Sequence, residues 1–196
     1  MKGGNMAKYN REVILETGLM LLMKSGYTGL GIQNVLKACN IPKGSFYNFF
    51  PSKLEFVTEV LDLYNMKIEE ALKDIDKQQI SPYDKVVHFF KLANQTFFMG
   101  EEIVTCPMLN VVADEVLDEA SLLTFIDKKF KLHKSYLEKW IEEGQRSGVV
   151  KNQITPQELA DMIYDIYHGI VYRSKYSQSR DVSEVFVMKT LPFVLK

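Results

Sequence analysis

The stretch Gly26–Lys53, which reads GYTGLGIQNVLKACNIPKGSFYNFFPSK, constrains the fold of this chain more than any other part. Gly31 can begin a helix, and apolar residues then recur at helical spacing up to Asn40, which tolerates the left-handed conformation of a helix end. Pro42 suits the first turn of a new helix, because its missing N–H would have no intrahelical partner there. The stretch therefore predicts two short helices joined by a tight turn, followed by the start of a third.

The helix that begins near Lys43 combines small, polar and cationic residues with three phenylalanines, Phe46, Phe49 and Phe50, that we expect to pack against neighbouring helices. A helix–turn–helix of this composition can enter the major groove of DNA. Glycine lets the backbone approach the duplex, hydroxyl and amide groups hydrogen-bond bases or phosphates, and lysines bind phosphates as point charges. The residues predicted to contact DNA are Gln33, Lys43, Gly44, Ser45, Tyr47, Asn48 and Lys53.

These same residues resemble the DNA-binding signature of the TetR family of transcriptional regulators. Gly26-Tyr27 follows a first helix, PKGSFYNFF occupies Pro42–Phe50, and Ser52-Lys53 comes next, so that residue types and spacing agree together. The resemblance covers roughly residues 10–64 and implies DNA contacts at the positions named above. The family more often has His or Tyr where Asn48-Phe49 precedes Phe50, a departure that we expect to affect operator sequence or affinity.

Charge is distributed unevenly along the chain. Residues 1–54 hold seven Lys or Arg and two acidic residues, whereas the other 142 residues hold 17 basic and 23 acidic ones. A cationic end on an acidic protein favours phosphate binding at that end alone. With the resemblance, this predicts a helix-turn-helix DNA-binding domain over residues 1–54 and a helical effector-binding and dimerisation domain over residues 55–196.

The whole chain is expected to be all-α, with about nine helices. Apolar residues make up 46% of it, which can fill a substantial core, and no run alternates convincingly as a strand. Ser52 with Glu55, and Thr155 with Glu158, form two capping boxes that each predict a helix start. The predicted helices run over residues 10–24, 32–39, 42–49, 52–77, 82–100, 107–117, 118–148, 156–177 and 183–195, the last broken or kinked near Pro192.

The sequence also indicates a compartment. No apolar run approaches the ~20 residues that a spanning helix needs, and the first residues lack the apolar stretch of a signal peptide. Cys39 and Cys106 belong to no CxxC or Cys/His cluster, so we expect reduced thiols and no zinc. The prediction is a cytoplasmic protein without metal or cofactor and without a membrane partner.

Aromatic residues in the second predicted domain are candidates for an effector site. Phe97, Trp140, Tyr167 and His168 can line a cavity between helices, or they can form ordinary core, because aromatic stripes at helical spacing are often core. His168 is equally well explained as a structural histidine. Both interpretations stay open from the sequence.

Cys106 is a candidate sensor. A thiol at a helix N-cap, here just before Pro107, experiences the helix dipole and backbone N–H groups that favour the thiolate. The segment Thr105–Met108 also resembles the G-C-[LP]-x stretch of a TetR branch that includes electrophile- and hypochlorite-sensing repressors, with Thr105 in place of Gly. That resemblance implies a reactive Cys106 and a lysine partner at Lys175; a packed cysteine and a surface lysine remain the alternatives.

The resemblance implies a homodimeric repressor that leaves an inverted-repeat operator when a small apolar or electrophilic effector engages the second domain. Dimerisation is expected through the last two long helices, where Gly169 allows a close approach. The alternative is a helical small-molecule binding protein or enzyme with a vestigial DNA head. No nucleophile–base–acid grouping, phosphate-binding loop or metal spacing supports catalysis, so we expect no enzyme.

Overall fold

The computed structural model describes residues 10–99, 101–114 and 120–196 and is predominantly helical, which confirms the all-α prediction. A short antiparallel pair of strands, β1 (Phe98–Met99) and β2 (Glu102–Ile103), separates the fifth helix from the sixth. The helices are α1 (Arg11–Gly29), α2 (Ile32–Cys39), α3 (Lys43–Phe49), α4 (Lys53–Lys77), α5 (Pro82–Phe97), α6 (Pro107–Ala113), α7 (Ala120–Ser147), α8 (Pro156–Ser177), α9 (Asp181–Val185) and α10 (Leu191–Leu195), with a π-helical turn (Phe186–Thr190) joining the last two.

The start signals in the sequence act as local chemistry predicts. The N–H of Glu55 donates to Ser52 Oγ (3.1 Å) at the beginning of α4, and the N–H of Glu158 donates to Thr155 Oγ1 (3.3 Å) at the beginning of α8. Each hydroxyl satisfies a backbone donor that the first helical turn leaves without a partner. Helix α8 has the predicted bounds.

Two predicted helix ends differ from the structure. Helix α1 continues to Gly29 instead of ending at Lys24, with a kink at Gly26, where φ is 73° and ψ is −176°. Gly26 therefore has the positive φ expected of a helix end, but one more helical turn follows it. The second is α5, which ends at Phe97 although the prediction continued it to Gly100, because Phe98 and Met99 pair with Ile103 and Glu102 in the β1–β2 hairpin. The predicted ends and starts at Gly100, Leu117 and Asp118 lie outside the described residues.

The C-terminal segment follows one continuous helical path with a widened turn. The π-helical turn (Phe186–Thr190) lies immediately before Pro192, near the predicted kink. Proline has no N–H and its ring clashes with the carbonyl four residues earlier, so a regular α-helical turn is disfavoured there. The wider turn accommodates the proline without ending the helix.

The described residues divide into two compact units. The head unit comprises Met1–Met66 and Pro107–Leu123, and the body unit comprises Lys67–Cys106 and Thr124–Lys196. Helices α1, α2, α3 and α6 and the first half of α4 build the head, whereas α5, α8 and the C-terminal segment belong to the body. That residues 1–54 alone form the DNA-binding domain stays a prediction. In the part of the chain that the structure describes, every helix falls short of the length and apolar character required to span a membrane.

Candidate functional site

Helix α3 presents one face of the head unit to solvent. Lys43, Gly44, Tyr47 and Asn48 are all exposed, at the spacing of residues that share a helical face. A Cβ atom added at Gly44 would meet nothing within 4 Å, so the backbone is open to close approach there. Ser45 is half-buried on the same helix. An exposed helical face of small, polar and cationic residues is of the kind that can enter the major groove of DNA.

An aromatic cluster packs against the buried side of α3 and fixes the position of this helix. The Phe46 ring lies 5.2 Å from that of Phe50 and 5.1 Å from that of Phe56, and the Phe50 and Phe56 rings are 4.8 Å apart. All three side chains are fully buried, which confirms the packing predicted for Phe46 and Phe50, while Phe49 is half-buried. Because edge-to-face rings interlock, α3 has little freedom to rotate.

The turn between α2 and α3 sets the angle between them. Asn40 adopts the left-handed conformation, with φ 49° and ψ 47°, as its position predicts. The N–H of the next residue, Ile41, donates to Leu36 O (3.0 Å), closing the end of α2. Gln33 is exposed near the start of α2, at the end away from this turn.

Lys53 has internal contacts that the sequence did not reveal. Its Nζ donates to Tyr27 O (2.8 Å) and lies 3.9 Å from the centre of the Tyr27 ring. Burial lowers the pKa of the Lys53 ammonium, and the neighbouring Asp114 carboxylate acts in the opposite direction. Lys53 thus joins the start of α4 to the end of α1, and its predicted phosphate contact stays a prediction.

Helix α6 reaches α1 through two side chains, of which the first is Asn110. Its Nδ2 donates to Leu22 O (2.9 Å) and to Met23 O (3.3 Å), in the last turn of α1 before the kink. A kink leaves nearby carbonyl groups in need of donors, and a buried amide supplies them. Asn110 therefore stabilises the bent form of α1.

The second contact of α6 is made by Asp114. The N–H of Thr28 donates to Asp114 Oδ2 (2.8 Å), a hydrogen bond that the carboxylate charge strengthens. A Cβ atom at Gly26 would lie 2.7 Å from the same oxygen, so glycine is needed there for the approach as well as for its positive φ. These partners are separated by 86 residues, and no local sequence signal could have identified them.

In the body unit, three of the four predicted effector residues come together. The ring centres of Phe97 and Tyr167 are 6.3 Å apart, those of Phe97 and His168 6.4 Å, and those of Tyr167 and His168 6.0 Å. Trp140 has other neighbours: its Nε1 donates to Asp76 Oδ1 (2.8 Å), and its ring packs against Tyr136. Among the described residues no ring contact joins Trp140 to the other three.

The body unit also contains a polar pair that sequence analysis overlooked. His133 Nδ1 on α7 and Tyr164 Oη on α8 are 3.2 Å apart and buried. Burial raises the pKa of the Tyr164 hydroxyl well above its ordinary value, and the nearby Cys106, Asp165 and Tyr167 act in the same direction. The predicted sensor Cys106 is therefore a neighbour of this pair.

The predicted sensor residues lie in different surroundings. Cys106 is 1% exposed and immediately precedes α6. Lys175 is half-buried in the last turn of α8, where the helix dipole stabilises a positive charge. A joint role for the two stays a prediction. Among the described residues, no three His, Cys, Asp or Glu side chains are grouped so as to hold a metal ion.

Comparison with known proteins relates this architecture to one family. The family model described as bacterial regulatory proteins, tetR family, matches residues 14–60, which contain α2, α3 and the aromatic cluster. The HTH-type transcriptional repressor DhaR of Mycobacterium sp. (strain GP1) is 26% identical over 184 residues, 90% of this chain and 88% of DhaR. The repressor NemR of Escherichia coli (strain K12) is 25% identical over 170 residues, 86% of this chain and 85% of NemR.

A solved structure extends the likeness to the whole chain. A transcriptional regulator of the TetR/AcrR family has a TM-score of 0.79 to this protein at 26% sequence identity, over 95% of this chain and 98% of the other. The similarity therefore includes the body helices as well as the helix–turn–helix. Residues 14–60 therefore match the tetR family of bacterial regulatory proteins, and the chain as a whole is similar to a regulator of the TetR/AcrR family.

Proposed function

We propose that this protein is a homodimeric transcriptional repressor that binds operator DNA through α3 and leaves it when an effector engages the body unit. The exposed face of α3, with Lys43, Gly44, Tyr47 and Asn48, is the single observation that carries this function. Gln33 on α2, Ser45 and Lys53 complete the proposed contact set. Lysines supply phosphate contacts, while Asn48 and Gln33 supply hydrogen bonds to base edges. Operator DNA lies in the bacterial cytoplasm, and we infer the same compartment for the protein.

An apolar surface on the body supports the homodimer. Tyr176 is 91% exposed, Phe193 85% and Met188 71%, although such side chains normally avoid water. Met162, Gly169 and Tyr176 recur every seven residues and so share one face of α8. A Cβ atom at Gly169 would meet nothing within 4 Å, which leaves room for a second helix.

Two-fold symmetry then sets the form of the operator. Two chains that meet through the same surface make an isologous contact, and their α3 helices are related by the same axis. Such a pair reads two half-sites about one DNA turn (~34 Å) or more apart. An inverted-repeat operator follows.

Release requires an effector that binds one conformation of the dimer better than the other. The chain provides two continuous routes from body to head: α4 runs through both units, and α6 directly follows Cys106. Because α6 also contacts α1 through Asn110 and Asp114, a change beside Cys106 that moved α6 would disturb the end of α1. This is the route that we assign to the signal.

Two chemical classes of effector fit the body. A reversible apolar ligand would use Phe97, Tyr167 and His168, whereas an electrophile would react with the Cys106 thiolate, with Lys175 as its proposed partner. Since Cys106 is 1% exposed, the electrophile must enter the body to reach it. Trp140, held by Asp76 and Tyr136, serves as framework in either case.

The operator function is tested by gel shift with the DNA upstream of the protein's own gene. We expect saturable binding between about nM and µM protein that weakens steeply with salt, and a dimer by sedimentation. A monomer that ignores this DNA at low salt would refute the proposal. Replacing Phe193 and Met188 together by serine should weaken dimer and operator binding in parallel.

The two effector classes are separated by Cys106→Ser. This variant should still bind operator but resist release by N-ethylmaleimide, while Cys39→Ser, the matched control, should be released like the native protein. If the Cys106→Ser protein is released normally, the thiol mechanism is wrong and a reversible ligand remains.

A further inference from the structure

Two buried histidines in the body unit lie within one connected cluster, which we call the histidine cluster: His133, Tyr164 and His168. His133 Nδ1 is 3.2 Å from Tyr164 Oη, and the Tyr164 and His168 ring centres are 4.6 Å apart in an edge-to-face arrangement. His133 is fully buried and His168 is 9% exposed. One tyrosine thus bridges a histidine on α7 and a histidine on α8.

The cluster contains hydrogen-bonding atoms that nothing in the described protein satisfies. His133 Nε2 and His168 Nδ1 are shielded from solvent and have no hydrogen-bond partner among the described residues. The same is true of Ser174 Oγ on α8. His168 and Ser174 are both buried on that helix. A buried polar atom without a partner costs free energy, so such atoms are few in native proteins, and a bound water, ion or ligand is one explanation for them.

Aromatic rings surround the histidine cluster. The His168 ring is 6.4 Å from Phe97, 6.1 Å from Phe130 and 6.0 Å from Tyr167, centre to centre. Each of these contacts is edge-to-face, a favourable arrangement for aromatic pairs. The surroundings favour a flat, single-ring ligand.

The charge state of the histidines selects among such ligands. Burial lowers the pKa of His133 and that of His168 to about 4, so both imidazoles are neutral at pH 7. The Lys129 ammonium near His133 is already paired with Glu69 (2.9 Å). A neutral imidazole offers one donor and one acceptor, which suits an uncharged polar group and gives a carboxylate no compensating charge.

We propose that the histidine cluster binds an uncharged phenol, whose hydroxyl groups hydrogen-bond His133 Nε2 and His168 Nδ1 while its ring packs against Phe97, Phe130 and Tyr167. The binding itself does not depend on the proposed function; only the identification of this phenol with the effector rests on it. A dihydroxybenzene offers two hydroxyl groups, one for each nitrogen, and each hydroxyl can both donate and accept. Cys106 interacts electrostatically with Tyr164 of this cluster.

The experiment is calorimetric titration of the full-length protein at pH 7 with phenol, resorcinol and 4-hydroxybenzamide, beside benzoate and toluene as anionic and apolar controls. We expect saturable binding of resorcinol with one molecule per protomer. Benzoate and toluene should bind at least about tenfold more weakly than resorcinol. Toluene forms no hydrogen bond with the histidines, and benzoate brings a negative charge that nothing in the cluster compensates. The imidazole ¹⁵N resonances of His133 and His168 should shift with resorcinol, and those of His88 should not.

The variants are His133→Leu, His168→Phe and, as the matched control, His88→Gln. Each cluster variant should lose about tenfold or more in resorcinol affinity while keeping its helical circular dichroism, and the control should bind normally. His168→Phe should also raise Tm in the absence of ligand, because it removes an unsatisfied nitrogen without leaving a cavity. A variant that fails to fold leaves the ¹⁵N titration of the native protein as the deciding measurement.

Three results would overturn the proposal. The first is that none of the three phenols binds at concentrations up to about 10 mM, and the second is that toluene binds as tightly as resorcinol. The third is that resorcinol leaves the ¹⁵N resonances of both histidines unchanged, as expected if ordered water alone fills the site. Operator binding is measured on the same sample by gel shift. Phenol binding without operator binding would refute the proposed function alone, and operator binding without phenol binding would refute this inference alone.

Discussion

The two units of this protein each contain an aromatic cluster, and the clusters differ in one respect. In the head unit Phe46, Phe50 and Phe56 consist only of hydrocarbon and are fully buried. In the body unit the corresponding cluster carries hydroxyl and imidazole groups, and two of its nitrogens have no hydrogen-bond partner in the described chain. The body residues concerned are Phe97, Phe130, His133, Tyr164, Tyr167 and His168.

The difference matches the two tasks. A hydrocarbon cluster is most stable when its rings interlock in one arrangement, so it keeps the reading helix α3 in a constant position. A cluster with unsatisfied polar atoms is less stable alone and gains free energy when a ligand supplies the missing hydrogen bonds. The head is built to hold one geometry, and the body to respond to another molecule.

The largest expected effect tests the head cluster. Phe50→Ala removes a fully buried ring between Phe46 and Phe56 and should lower the free energy of unfolding by about 3–5 kcal/mol. Urea denaturation measures the loss, and operator affinity should fall with it. Phe49→Ala, at a half-buried position, is the control and should cost clearly less; equal losses would mean that the cluster is not the support of α3.

The next largest effect is a pH dependence of stability that arises from the two buried histidines of the body unit and has no counterpart in the aromatic cluster of the head. Folded His133 and His168 protonate only near pH 4, whereas unfolded histidine protonates near 6.5, so the unfolded state binds more protons between these values. Stability should therefore fall as pH drops from about 6.5 towards 4, by about 2 kcal/mol per histidine at pH 5 relative to pH 7, and should not depend on them above 7. The measurement is urea unfolding at several pH values of the native protein and of the His133→Leu/His168→Phe variant, which gives the slope of the unfolding free energy against pH for each. If the variant has the same slope as the native protein, other groups cause the effect.

A smaller effect concerns the contact between α6 and α1. Asp114→Ala removes the acceptor of the Thr28 N–H and should lower stability by about 1–3 kcal/mol and weaken operator binding. Asp114→Asn keeps an oxygen at that place and should cost less. If the alanine variant binds operator as well as the native protein, α6 does not position the head, and the route assigned to the signal is wrong.

The smallest effect on stability belongs to the proposed DNA-reading face of α3. Lys43 is exposed, so Lys43→Ala should leave the urea midpoint unchanged but reduce the slope of log affinity against log salt by about 1. Lys128→Ala, an exposed lysine on α7 in the body, is the matched control and should leave that slope unaltered. A Lys43 variant with the native salt slope would exclude this residue from phosphate contact.

Much of the head could be predicted because its signals are local. Gly26 and Asn40 adopt positive φ where their residue types allow it, and the side chain of Ser52 caps the helix that follows it. The phenylalanine spacing in α3 likewise separates a buried face from an exposed one. Each of these features depends on neighbours within one or two helical turns, which a sequence displays directly.

The body site was predicted less well for a physical reason. Aromatic spacing identified Phe97, Tyr167 and His168, yet it also selected Trp140, whose indole N–H is held by Asp76 64 residues away. Helical periodicity says which side of a helix is buried, but it does not say which other helix that side meets.

The sequence alone thus determined an all-α chain, its helix–turn–helix with an exposed cationic face, and its resemblance to the TetR family. Only the tertiary structure decided that His133 meets Tyr164, and that Asn110 and Asp114 connect α6 to α1. Turns and caps arise from energies between adjacent residues, whereas these pairings follow from how whole helices pack, and packing is settled jointly by every side chain in the core.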